Sequence, residues 1–157
     1  MKVIYSWRQP KMKTPSRKKI KLLIKRIVQL ADLKLPDSGT LSIIFPGPRT
    51  MQKINNSFLD HNYLTDVICF NYELDSEVED EVAVELFISP DIAAIRSKEN
   101  KKFSYSSELV LYLIHGILHA AGMKDKTDRQ RGKMRKREAE IMEKIKTEFT
   151  FTEVFPE

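Results

Sequence analysis

The sequence predicts a single α+β domain, residues 1–157, with a mixed sheet of roughly four strands packed with about five helices and a metal site at the C-terminal end of a central helix. Three observations predict it. Segments with apolar residues at helical spacing are interspersed with short runs of strand character, but the two do not alternate strictly. A length of 157 residues suits one hydrophobic core and is short for two. Finally, the stretch His115-Gly-Ile-Leu-His119-Ala-Ala-Gly122-Met-Lys-Asp125 sets two histidines and an aspartate where a long proline-free apolar run reaches a glycine.

Taken in order, residues 2–7 read as a short edge strand. Pro15 followed by the capping residue Ser16 opens a helix over 16–34, whose Ile20, Leu23, Ile24, Ile27, Val28 and Leu30 form an apolar stripe. Pro36-Asp37-Ser38-Gly39 makes a turn, Thr40 to Phe45 a strand, and Pro46-Gly47-Pro48 ends it. Met51, Ile54 and Phe58 fall in helical register over 49–58. Asp66 to Tyr72 reads as the next strand, the acidic run Glu73 to Glu81 as an exposed loop or hairpin connection, and Val82 to Ser89 as another strand. Ser89-Pro90-Asp91 starts a helix that runs to about residue 99. Residues 104–121 form the histidine helix. Residues 127–149 form a last, highly charged helix that offers Met134, Ala139, Ile141, Met142 and Ile145 for packing. The tail 150–157 is expected to fray.

With 41% hydrophobic and 31% charged residues, the composition is that of a soluble globular protein, and no apolar run approaches a membrane span. The N-terminus soon turns basic and lacks the apolar core and cleavage site of a secretory signal, so a cytoplasmic protein without membrane contact is expected. The single cysteine, Cys69, has no internal partner and falls at a buried strand position; no chemistry is assigned to it. The net charge of +5 is segregated. One basic cluster spans Lys11 to Arg26 and reads as the solvated face of an amphipathic helix. A second, from Lys124 to Arg137, follows the histidines directly; it is either a solvated face or a surface holding a polyanion through its phosphates.

Histidines four apart project from one side of a helix, so His115 and His119 can reach one ion. Gly122 stands where a helix ends in a left-handed residue, and a reversal there carries Asp125 back toward His119. Two nitrogens and one carboxylate oxygen suit zinc, and a fourth position open to water marks a catalytic site rather than a structural one. Two neighbouring histidines buried without partners are costly, and a shared ion removes that cost. Gly116 in a helix interior costs about 1 kcal/mol relative to alanine, which implies close approach of something at that point. The other histidine, His61, is an alternative third ligand; Asp125 is preferred because it needs only a turn.

His115-Gly116-x-Leu118-His119-x-x-Gly122, preceded by Glu108 and Leu109 and followed by Asp125, resembles the motif of the YbeY family of ribosomal-RNA maturation factors, which are metal-dependent endoribonucleases. Leu64-Thr65-Asp66-Val67-Ile68-Cys69-Phe70 and Glu85-Leu86-Phe87-Ile88-Ser89 are similar to two strands of that family, and the three segments cover most of residues 50–125. The chain departs from the family's usual pattern at Asp125, where a histidine is usual, and at Leu59 and Leu111, where the family carries arginines thought to contact RNA phosphate. The basic run after Asp125 is the charge available in their place.

The resemblance implies a zinc-dependent endoribonuclease acting on single-stranded RNA in ribosomal-RNA maturation and ribosome quality control, with ribosomal RNA or a ribosomal particle as partner. His115, His119 and Asp125 are the implied ligands of one Zn2+ ion, or of another divalent metal. The ion would lower the pKa of a water or polarise a phosphoryl oxygen for phosphodiester cleavage. The ligand set, with one carboxylate, would leave a zinc site net positive and favour an anionic substrate. No general acid or base stands out. Glu108, two turns before His115, reads as a surface glutamate, with a place behind the ligands as the alternative. Two competing classes remain. A metzincin-like protease shares the ligand spacing but needs a glutamate where Gly116 stands. A non-catalytic RNA- or ribosome-binding protein would keep the ion only as structure.

Overall fold

The computed structural model describes residues 1–59, 66–74 and 77–157, with the side chains of 58 and 59 left aside. His61 and the Leu64-Thr65 pair lie outside the described residues, as does the side chain of Leu59.

Among the described residues four strands form one mixed sheet: β1 (Lys2–Trp7), β2 (Gly39–Phe45), β3 (Val67–Asn71) and β4 (Glu81–Ile88), in the spatial order β1-β2-β4-β3. β1 and β2 run parallel, as do β2 and β4, whereas β3 pairs antiparallel to β4. Parallel neighbours require a crossover, and α1 (Arg17–Leu30) supplies it between β1 and β2. Every residue of β2 is buried, as befits a strand flanked on both sides. The acidic run connects the antiparallel pair β3 and β4, and Tyr72 donates its backbone N–H to Ala83 at 2.9 Å just beyond β3.

The other helices are α2 (Pro48–Ile54), α3 (Pro90–Asn100), α4 (Tyr105–Ala120), α5 (Asp128–Glu148) and a short α6 (Phe151–Val154). Ser16, Ser89, Ser104 and Thr127 each accept a backbone N–H with their side-chain oxygen at a helix start, and Gln130 completes a capping box at α5. The segment expected to be helical over 49–58 changes at Asn55 into a π-helical turn, Asn55–Leu59. α1 ends earlier than its periodicity suggests. Asp32 takes a left-handed φ of 55°, and Leu33 donates back to Val28 at 3.1 Å, closing the helix and burying Leu33.

α4 is the central helix. It packs on β3 and β4 and meets α1, α3, α5 and α6, so most of its residues from Leu109 to Leu118 are buried. Gly116 is where it touches the sheet. A Cβ there would lie 3.0 Å from Val67 Cγ1 and 3.2 Å from Leu86 Cδ1. The close approach that this glycine implied is therefore made by the strands.

The tail expected to fray is ordered. Val154 and Phe155 are each only 1% exposed, and the Phe155 ring packs edge-on against Phe45 with centroids 5.8 Å apart. The Ser106 hydroxyl donates to the Phe155 carbonyl at 2.8 Å, and Ser16 N–H donates to the Val154 carbonyl at 3.0 Å. The apolar area of Phe155 and these bonds outweigh the ordering cost of a short terminal segment. The N-terminal basic cluster also does more than face water. Lys19 pairs with Glu153 at 2.7 Å and Arg26 with Glu148 at 2.9 Å, joining α1 to the C-terminal elements. These partners are exposed, so the pairs set orientation more than stability.

Candidate metal centre

Three donor atoms converge at the C-terminal end of α4. His115 Nε2 and His119 Nε2 are 2.9 Å apart, Asp125 Oδ2 is 3.1 Å from His119 Nε2, and it is 3.5 Å from His115 Nε2. Among the described residues this trio is the group of His, Cys, Asp and Glu side chains able to hold an ion.

Each ring is turned by the partner of its other nitrogen. His119 Nδ1 lies 2.9 Å from the Met123 carbonyl, which can only accept, so Nδ1 carries the proton and Nε2 its lone pair. His115 Nδ1 lies 2.5 Å from Glu138 Oε1 on α5, which fixes the same tautomer. Two nitrogen lone pairs and a carboxylate oxygen then face one point, an arrangement that repels itself unless a cation sits among them. Ligand atoms about 2.0–2.1 Å from a tetrahedral zinc are separated by about 3.3 Å, close to the three distances found. The donor set therefore fits a divalent ion with a fourth position open. Burial opposes a charge on His115, but the carboxylates of Glu138, Asp66 and Asp125 overcome it and hold its pKa above the ordinary histidine range.

Local sequence explains much of this geometry. α4 ends in a Schellman turn: Gly122 adopts φ +104°, its N–H donates to His119 at 3.0 Å, and Met123 N–H donates to Leu118 at 3.0 Å. That turn presents the Met123 carbonyl to His119 and sends the chain back with Asp125. Arg131, one turn into α5, donates to the Lys126 carbonyl at 2.8 Å and pairs with Asp128, holding the segment that carries Asp125. Part of the second basic cluster is thus structural, since Arg137 likewise donates to the Leu30 carbonyl that ends α1.

Glu138 escaped the sequence reading. It lies on α5 in register with Met134, Ile141 and Ile145, the buried stripe of that helix, and a carboxylate at such a position was the signal available. Glu108 is corrected: at 3% exposure it is a buried residue, not a surface one. It shares a stripe of α4 with Tyr112, His115 and His119. Burial first, and the nearby Glu108 carboxylate second, push the Tyr112 hydroxyl well above the usual tyrosine range. A cavity of about 510 Å³ opens beside the ligands, with Glu108, Leu111, Tyr112, His115, Asp125 and Glu138 among its walls.

Comparison with known proteins agrees with this architecture. The family model described as "Endoribonuclease YbeY" matches residues 5–146. A protein named Endoribonuclease YbeY from Elusimicrobium minutum is 34% identical over 140 residues, covering 86% of this chain and 95% of its own. Another of the same name from Chlorobium phaeobacteroides is 32% identical over 127 residues, covering 81% and 86%. A Thermotoga maritima protein solved in solution is similar in fold over 92% of this chain and 91% of its own, with a TM-score of 0.58 and 20% identity.

Proposed function

Because the chain belongs to the Endoribonuclease YbeY family, we propose that it is a metal-dependent hydrolase cutting single-stranded RNA, with His115, His119 and Asp125 as the ligands of one zinc ion. The observation that carries this reading is the convergence of three lone-pair donors on one point beside an open cavity. A bound ion supplies Lewis acidity toward a phosphoryl oxygen and a lowered pKa for water. The chain's own residues do the positioning. Glu138 and the Met123 carbonyl fix the two rings, the Schellman turn sets Asp125, and α5 walls the cavity.

Single-stranded RNA is favoured over duplex because an unpaired strand can bend its backbone into a cavity beside half-buried ligands. Within the cell we place the activity in the cytoplasm, in ribosomal-RNA maturation and ribosome quality control, on ribosomal RNA or a ribosomal particle. No helix among the described residues is long and apolar enough to cross a membrane. A protease of similar ligand spacing is disfavoured by Gly116: the general base would have to grow from a position whose Cβ already meets Val67 and Leu86.

The test is cleavage of a single-stranded RNA oligomer by the purified protein. We expect activity that is lost with a chelator, restored by zinc, absent in His119→Ala and weak on the matching duplex. RNA binding without cleavage under any divalent ion would make the protein a non-catalytic binder instead.

A further inference from the structure

The cavity beside the ligands continues away from them to α3, and its far wall carries an arginine held in a fixed pose. Arg96 Nη1 donates to Asp66 Oδ2 at 2.7 Å, and the guanidinium lies over the Tyr112 ring, 5.7 Å from its centroid. Asp66 is itself anchored, since its Oδ1 accepts the Val67 N–H at 2.9 Å and its carbonyl accepts the Ser89 N–H at 2.9 Å. Arg96 is therefore tied to the start of β3 and to the loop that opens α3. Its side chain is nevertheless 47% exposed and lines the cavity.

The rest of the lining suits a nucleotide. Lys102 and Arg135 add positive charge, while Leu111 and Phe103 offer apolar surface to a base or ribose. About 510 Å³ lies within the range of small-molecule sites and admits one nucleotide rather than a helix. A planar guanidinium braced on one carboxylate and one ring keeps donors for a second anion, and its fork matches a phosphate's oxygens.

We propose that this cavity seats one nucleotide of the substrate strand next to the metal centre, and that Arg96 holds its phosphate with Asp66 and Tyr112 as positioning residues. The proposal rests on the endoribonuclease reading. It puts a phosphate contact on α3, in the cavity where α4 presents Leu111 rather than an arginine.

The test is equilibrium binding of a single-stranded RNA oligomer, with chelator present to prevent cleavage, at several salt concentrations. Neutralising one phosphate contact on a single strand contributes about 0.7 to the slope of log affinity against log salt. Arg96→Ala is expected to lose about that slope and at least tenfold in affinity. Arg96→Lys, which keeps charge but not the fork, retains the slope and binds several-fold more weakly. Asp66→Asn also retains the slope and weakens binding by releasing the guanidinium. Melting temperatures of all three variants are recorded alongside. Wild-type slope and affinity in Arg96→Ala, with only a lowered melting temperature, would reduce Arg96 to a structural salt bridge and overturn the proposal. Wild-type protein that neither binds nor cuts RNA would instead remove the endoribonuclease reading, and this proposal with it.

Discussion

Replacing Glu138 by glutamine is expected to weaken zinc binding about tenfold, and replacing it by alanine about 100-fold. Glu138 Oε1 lies 2.5 Å from His115 Nδ1 and its side chain is only 14% exposed, so the bond is short, charge-assisted and shielded from water. Charge-assisted bonds contribute about 1.5–3 kcal/mol where neutral ones contribute about 0.5–1.5. Glutamine keeps an oxygen that accepts the Nδ1 proton but lacks the charge, a difference of about 1.4 kcal/mol, or one decade in affinity. Alanine removes the acceptor and frees the ring to turn, and loss of such outer partners costs about 10–100-fold in metal affinity. The assay is competition for zinc against a chromogenic chelator near neutral pH, with melting temperature as a check on folding. Wild-type affinity in Glu138→Ala, while His119→Ala loses the metal, would refute the idea that α5 orients His115.

Three further outcomes are expected. In Gly116→Ala the added Cβ meets Val67 Cγ1 at 3.0 Å. Overpacking of about 1–3 kcal/mol exceeds the helix-propensity gain of about 1, so denaturant unfolding should show a net loss of about 1 kcal/mol; a more stable variant would mean that β3 yields freely. Phe155→Ala should cost about 3 kcal/mol because a ring 1% exposed against Phe45 leaves a cavity, and a loss below about 1 kcal/mol would return the C-terminus to the frayed state its sequence suggests. Burial of the Cys69 thiol raises its pKa from 9.0 to about 11. Desolvation disfavours the thiolate, so at pH below both values the reactive fraction is about 100-fold smaller than for a free cysteine. Alkylation measured by mass shift should be slower by that factor, and labelling at the free-thiol rate would show that the site opens to solvent.

The parts of the fold that were legible are those whose determinants are local. Ser16, Ser89, Ser104 and Thr127 each announce a helix within three residues of themselves, and the histidine spacing with Gly122 specifies a ligand pair followed by a reversal. α6 was not legible because Phe151, Val154 and Phe155 make no periodic pattern in so short a segment; they are ordered by Phe45 and Ser106, far away in sequence. The π-helical turn at Asn55–Leu59 continues a pattern that reads as ordinary helix. Glu138 and Arg96 were missed for a related reason. Each depends on a partner 23 or 30 residues away, His115 or Asp66, and helical position hints at burial without naming what is met.

Glu138 also changes the electrostatics inferred from the ligands alone. With zinc bound, a site of two neutral histidines and Asp125 would carry net positive charge, and that charge was the reason to expect attraction for an anion. The carboxylate of Glu138, bonded to His115 and shielded from water, would cancel it. On the proposed reading, the two charges of a bound divalent ion would be matched by two carboxylates, and the metal centre would polarise a substrate without drawing it in from solution. Long-range attraction falls to the cations on the cavity walls, Arg96, Lys102, Arg131 and Arg135. Of these, Arg96 is paired with Asp66, and Arg131 is committed to the Asp125 loop and to Asp128. The family's usual histidine at the third position would return one unit of charge to the centre, and its arginines would add more. If the proposed function holds, a chain with Asp125, Leu59 and Leu111 places that work outward, and RNA binding should then depend on salt more steeply than metal binding does.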